Sequence, residues 1–335
     1  MDEAKQFFMK FLILGCGSFA GQSVFEHLLS KGEVVYGINR SKPKSAAMWP
    51  WIAKENVNDI WFTQNIVDDL DQIINLVDTL KPNIIIDFMG QGMVAQSWAD
   101  PGLWFHTNIT QKSILIKHLS HCDFIEQYIR ASTPEVYGSS LNPQTPLSSF
   151  NPTTPYAVSH ASIDNYIRCL GNSYGFPYKI GRFANFYGVG QQLYRVIPRL
   201  ILSCLTNTKF TLDGGGTSLR SFINTEDICT AFDLLIQKAS LSSEYNFSGC
   251  EEVSISDLVD KICNLCNVPR TSIVETGPER AGKDMCYRLN CTQSQIDLGW
   301  TPEVSLNKGV SSMISWIEDN LPTLSELNWN YVHRR

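Results

Sequence analysis

A short apolar run, Phe11 to Leu14, breaks into Gly15, Gly17 and Gly21, and an amphipathic stretch then continues through Leu29. A second apolar run, Val34 to Ile38, ends in the polar residues Asn39, Arg40 and Ser41. Strand, glycine turn, helix and strand within about 28 residues match the length of a βαβ unit. No other feature of the chain restricts its fold so tightly.

The alternation continues downstream. Leu70 to Leu80 reads as a helix stopped by Pro82, and Ile84 to Ile86 as a strand buried on both faces. Asn108 to Leu119 reads as a helix, Phe124 to Ile129 as a strand, Tyr156 to Tyr174 as a helix and Tyr178 to Ile180 as a strand. The predicted class is α/β, a Rossmann-type doubly wound parallel sheet. Beyond about residue 185 the elements shorten, with a glycine turn at Asp213 to Gly216 and an amphipathic helix around Val310 to Ile317. The expected division is a dinucleotide-binding domain with the catalytic helix over 1–184. Residues 185–335 then form mainly a smaller α/β substrate lobe, interleaved with the first.

Composition narrows the partners. With 43% hydrophobic residues a sizeable core is available, and with 27 Lys and Arg against 33 Asp and Glu the net charge is −6. A mildly acidic chain without a basic run argues against nucleic acid or an anionic membrane as partner. No apolar stretch is long enough to span a bilayer, and the start lacks a secretory signal, so the expected setting is cytoplasmic. Cys263 and Cys266, with Cys286 and Cys291, resemble a zinc ribbon in their first pair, but the second pair has the wrong spacing. Cys263 also falls in the apolar pattern of Ile255, Leu258, Val259 and Ile262, so core thiols are expected and no bound metal.

A glycine turn between strand and helix lets backbone amides reach a pyrophosphate at the positive end of the helix dipole. Gly15, Gly17, Ser18, Phe19 and Gly21 are the candidates for that cradle. The second strand ends in Asn39 and Arg40, with Lys42 and Lys44 nearby, instead of the acidic residue that holds a ribose 2′-hydroxyl. Arginine there accommodates a 2′-phosphate, so NADP is expected over NAD, the alternative being solvated loop charges.

Several segments together resemble the extended short-chain dehydrogenase/reductase superfamily in its nucleotide-sugar branch. Gly15 to Gly21 is similar to the Gly-x-x-Gly-x-x-Gly fingerprint, with Ser18 in place of the middle glycine. Gln91 to Ser97 with Pro101 and Asn108, and Ser132 to Gly138, resemble the segments after the fourth and fifth strands. Pro152 to His160 covers the Tyr-x-x-x-Lys catalytic helix, with His160 where lysine belongs. Gly181 to Gly188, Arg220 to Ile223, Glu279 to Asp284 and Leu298 to Pro302 resemble the later signatures. At the cofactor end the GDP-mannose 4,6-dehydratases, which use NADP, are most similar; at the Ser132 to Gly138 segment the dTDP-glucose 4,6-dehydratases also compare.

The resemblance implies an enzyme that oxidises C4 of a nucleotide-diphosphate sugar and works as a homodimer, with the helices near 94–118 and 157–170 as the expected contact. Its implied catalytic set is Thr133, Glu135, Tyr156 and His160. Tyr156 is the base for the hydroxyl proton, and His160, one turn away on the same face, shares the cofactor side. A histidine is mostly neutral at pH 7, so it stabilises a phenolate less than lysine does; lysine at 160 is expected to speed the reaction. Glu135 is positioned as base for C5, which favours 4,6-dehydration to a 4-keto-6-deoxy sugar. Pro134 stands where dTDP-glucose dehydratases carry the aspartic acid for the departing hydroxyl. C4 epimerase, reductase or dehydrogenase outcomes are the alternative, and a binding protein with lost catalysis the third. Asn185, Arg195, Arg220 and Arg280 are the candidates for substrate nucleotide and diphosphate contacts.

Overall fold

The computed structural model describes residues 9–54, 56–278 and 286–333. In chain order the first strands are β1 (Lys10–Leu14), β2 (Val34–Asn39), β3 (Trp61–Thr63), β4 (Ile84–Asp87) and β5 (Gln127–Ser132). Then follow β6 (Ser140–Gln144), β7 (Tyr178–Phe183), β8 (Asn185–Tyr187), β9 (Phe210–Asp213) and β10 (Leu219–Asn224). The last are β11 (Ser243–Phe247), β12 (Glu252–Ser254), β13 (Val274–Gly277) and β14 (Tyr287–Leu289). Seven of them form one parallel sheet in the order β11-β7-β5-β4-β1-β2-β3. The predicted α/β class is observed. Small sheets β12-β10-β8, β13-β9 and β14-β6 belong mostly to the later part of the chain.

Along β1 the side chains divide with a period of two. Phe11 and Ile13 enter one core, Leu12 and Leu14 the other. The helices α1 (Phe19–Ser30), α2 (Leu70–Leu80), α3 (Val94–Ala99), α4 (Pro101–Phe105), α5 (Lys112–Leu119) and α6 (Pro155–Tyr174) precede α7 (Val196–Thr206), α8 (Thr225–Gln237) and α9 (Ile255–Leu265). α1 and α8 cover the first face through Phe25, Leu28 and Phe232, and α2, α5 and α6 cover the second through Ile73, Leu115 and Ile163. Removing the side chain of fully buried Leu12 should cost about 2–5 kcal/mol. The first core runs on into α7, α9 and the helix Leu306–Asp319, and β11 enters the main sheet beside β7.

Two predicted elements differ in detail. The strand expected over 124–129 lies at Gln127–Ser132. Glu126 and Gln127 donate backbone hydrogen bonds to Asn83 as the chain turns in, and the strand extends through Arg130, whose polarity disguises a buried position. The helix expected from Asn108 begins as a π-helical turn, His106–Gln111, before α5. That turn carries Asn108, and Lys112 follows it at the start of α5; both are buried.

The sheet order reverses between β1 and β4, since the chain runs from β1 outward to β3 and returns to β4. A crevice at the carboxyl ends of the strands is expected at such a reversal. Gly15, after β1, meets the loop after β4 there. A Cβ on Gly15 would lie 2.7 Å from the Met89 amide nitrogen, and its φ of +76° independently favours glycine.

Candidate active site

Ser18 caps α1, its hydroxyl accepting from the Gly21 amide at 3.1 Å. A Cβ on Gly21 would sit 2.4 Å from the Gly15 carbonyl oxygen, so helix and turn touch as backbone. The first turn of α1 carries no acidic residue, which leaves the positive end of its dipole uncompensated. Phe19 is buried at the helix start. Asn39, ending β2, lies against Gly17 and donates through Nδ2 to the Ser41 carbonyl at 2.9 Å. Arg40 is exposed beyond it, close enough to Tyr331 for its charge to act on that phenol. Gly15, Gly17, Ser18, Phe19 and Gly21 thus form one close-packed turn at the amino end of α1, with Asn39 and Arg40 beside it, and such a turn is the kind of place where backbone amides can meet a diphosphate.

At the next crevice wall, Thr133 caps a short 3-10 turn, Pro134–Tyr137, and accepts from the Glu135 amide at 3.3 Å. Tyr156 is the second residue of α6, whose cap Thr154 accepts from the Ala157 amide at 3.1 Å. Burial and then the Glu135 carboxylate push the Tyr156 phenol above its ordinary range, while the Thr133 hydroxyl and the charges of Arg195 and Arg130 oppose them. Thr133, Glu135 and Tyr156 are therefore neighbours in space. The His160 ring lies 4.4 Å from that of Tyr156, one helical turn on. Asn108 steadies the wall: it accepts from the Gln91 amide at 2.7 Å and donates to the Gln91 carbonyl and to Ser159 Oγ.

Beneath Tyr156 and His160 is a buried charge cluster that sequence reasoning missed. Arg130 donates to Asp164 Oδ1 at 2.8 Å, to Asp87 Oδ2 at 3.3 Å and to His160 Nδ1 at 3.0 Å. Lys112 donates to both Asp87 oxygens and to the Met89 carbonyl. Arg182 bonds Asp164 Oδ2 at 3.0 Å and Glu244 Oε2 at 2.8 Å, and Glu244 also takes Arg168. Burial alone would raise the Asp164 carboxyl, but Arg182 and Arg130 outweigh it and hold it low; Lys112 and Arg130 do the same for Asp87. Burial lowers Lys112 to about 8, partly offset by Asp87. Burial, then the charge of Arg130, lowers His160 to about 3. A usable signal was present: Tyr156, His160 and Asp164 share one stripe of α6 at i, i+4 and i+8.

The substrate candidates fall in two places. Asn185, opening β8, accepts a hydrogen bond from the Tyr287 hydroxyl of β14, and the Arg220 guanidinium lies 4.8 Å from the Tyr287 ring centroid. Tyr287 was not anticipated. Arg195 caps α7 near enough for its charge to act on Tyr156. Arg280 lies outside the described residues, as does the segment from Glu279 to Asp284.

The four cysteines weighed for zinc separate. Cys266, just past the end of α9, is the hydrogen-bond partner of Cys204 on α7, with Cys263 beside them, whereas Cys286 lies near Glu252 and Arg288 and Cys291 near Ser248. All ten cysteines are free thiols. Among the described residues no helix is long and apolar enough to cross a membrane.

The chain matches the NAD dependent epimerase/dehydratase family over residues 11–247. dTDP-D-glucose 4,6-dehydratase of Homo sapiens is 28% identical over 285 residues, covering 83% of this chain and 79% of that protein. dTDP-glucose 4,6-dehydratase of Xanthomonas campestris is 23% identical over 329 residues, covering 92% and 93%. Among solved structures, a dTDP-glucose 4,6-dehydratase from Streptomyces venezuelae with NAD bound has a TM-score of 0.84 at 24% identity, covering 94% of this chain and 98% of that one. A UDP-glucose 4-epimerase from Thermotoga maritima with UDP-glucose has a TM-score of 0.84 at 22% identity, covering 93% and 100%. The fold, the glycine cradle at the sheet reversal and a family match over well more than half the sequence lead to one assignment: this chain is an enzyme of the NAD dependent epimerase/dehydratase family.

Proposed function

We propose that the enzyme is an NADP-dependent nucleotide-sugar 4,6-dehydratase, which converts a nucleotide-diphosphate hexose into its 4-keto-6-deoxy form with loss of water. The observation that supports this most is Glu135 standing beside Tyr156, with Thr133 bonded to the same phenol. A nicotinamide cofactor, when bound, supplies the hydride acceptor. Tyr156, as phenolate, takes the C4 hydroxyl proton while Thr133 holds that oxygen. The resulting ketone acidifies C5, and Glu135 removes the C5 proton. Glu135 then returns a proton to the departing C6 hydroxyl, since Pro134 has none to give. With hydride returned to C6, C5 takes a proton from solvent, Tyr156 gives its proton back to solvent to regain the phenolate, and the balance is one water lost.

Pro134 favours a second reading, in which C4 is oxidised and the hydride returned without dehydration, as in a C4 epimerase. NADP is preferred over NAD because β2 ends in Asn39, followed by Arg40, with no carboxylate there. Residues 185–335 supply most of the substrate lobe, with Asn185, Arg195, Arg220 and Arg280 toward the nucleoside diphosphate. Trp98, Phe105, Ile114 and Val158 leave apolar surface exposed on or beside the helices expected to pair two copies. Ten free thiols suit a cytoplasmic setting.

The test is a panel of GDP-mannose, dTDP-glucose and UDP-glucose with NADP or NAD, read by mass spectrometry. A product lighter by one water supports dehydration, and an isomer of equal mass supports the epimerase reading. No turnover of any sugar overturns both.

A further inference from the structure

We infer that Arg130 is a positioning residue that locks His160 in its neutral Nε2–H form and carries, in its own guanidinium, the positive charge that a lysine supplies on the catalytic helix in similar enzymes. The inference rests on the reading of Tyr156 as the base and deepens it.

The hydrogen bond decides the tautomer. Arg130 Nη2 lies 3.0 Å from His160 Nδ1. A guanidinium has only donors and keeps its proton throughout the range in which enzymes work. Nδ1 must therefore offer a lone pair, and the single ring proton sits on Nε2, away from Arg130. An imidazolium would place two donors against each other.

Arg130 cannot turn aside. Its Nε is held by Asp164 at 2.8 Å and its Nη1 by Asp87 at 3.3 Å, so all three nitrogens are engaged. Asp164 is itself fixed by Ser132 Oγ at 2.8 Å and by Arg182. The cluster holds Lys112, Arg130, Arg168 and Arg182 against Asp87, Asp164 and Glu244, which leaves one positive charge in excess with His160 neutral. The charge of Arg130, after that of Arg195, acts on Tyr156 in the direction that favours phenolate, against burial and Glu135. Histidine at 160 is thus one half of a two-residue replacement, the other half coming from β5.

This reverses the expectation drawn from sequence alone. Lysine at 160 would set an ammonium against the Arg130 guanidinium and remove the acceptor that Arg130 needs. We expect H160K to slow the reaction by about tenfold or more, and R130M/H160K, which restores a single cation, to recover about tenfold over H160K.

The first experiment is long-range 1H–15N correlation on the full chain labelled with 15N-histidine, His160 being assigned with H160Q. A neutral Nε2–H ring that does not titrate between about pH 5 and 8 is expected. An imidazolium in that range, or an Nδ1–H ring, overturns the inference, and this needs neither turnover nor removal of a buried charge. The second is the rate series: H160K as fast as wild type or faster also overturns it. If the wild-type chain turns over none of the sugars while the ring proves to be Nε2–H, the proposed reaction fails and the tautomer lock stands.

Discussion

The Tyr156 and His160 rings lie 4.4 Å apart, tilted by 49°, on successive turns of one helix. One is a phenol raised by burial and by Glu135, the other an imidazole kept neutral by burial and by Arg130. The pair joins the crevice to the buried charges beneath it, so chemistry and stability respond to the same residues.

Removing the phenol should stop the first step. Tyr156→Phe is expected to lower kcat by about 10²–10⁴, and Glu135→Gln to lower loss of water by a similar factor. Because Glu135 acts after oxidation, Glu135→Gln should still pass deuterium from a C4-labelled sugar to the cofactor. Dehydration at an undiminished rate in Glu135→Gln would remove it from the mechanism.

Acid should weaken the fold through His160. Its folded pKa is about 3 against an ordinary value of 6.5, so the unfolded chain takes up a proton that the folded one refuses. Stability from this group is complete above about pH 6.5 and declines as pH falls toward 3. Tm should drop between pH 6.5 and 4.5, and His160→Gln should flatten that slope. Asp87 and Asp164, held low by their cations, release their share only at lower pH.

Cofactor choice should depend on Arg40. A charged hydrogen bond to a 2′-phosphate is worth about 1.5–3 kcal/mol, so Arg40→Ala should weaken NADP by roughly tenfold or more and leave NAD nearly unchanged. Calorimetric titration with both dinucleotides measures this. Equal losses for the two would assign Arg40 to general electrostatics.

Gly15→Ala should harm both fold and cofactor binding. Its φ of +76° and a Cβ 2.7 Å from the Met89 nitrogen give an expected cost of about 1–3 kcal/mol, read by urea unfolding. No measurable change would mean that the β1 and β4 loops are farther apart in solution.

Trp98, 53% exposed, is a probe of the expected dimer. Trp98→Asp should convert a sedimenting dimer to a monomer at micromolar concentration, with secondary structure intact. A wild-type chain that already sediments as a monomer contradicts the expectation.

The strand–glycine–helix pattern, the buried runs at 11–14 and 84–86 and the long helix from Tyr156 were legible because period and turn chemistry are local. So was the grouping of Thr133, Glu135 and Tyr156, through resemblance of their flanks. Arg130, Asp87 and Lys112 were not legible. Each is charged, and a charged side chain in isolation reads as surface. Only the sheet places β4 beside β5 and sets both under α6, so that each buried charge finds a partner tens of residues away. Tyr287 was hidden for the same reason, since its meeting with Asn185 and Arg220 is made by strands distant in sequence. Local pattern thus determined the scaffold and the phenol at its rim. What the histidine beside that phenol does was decided by tertiary contact, because the proton on an imidazole belongs to whichever neighbour faces its other nitrogen.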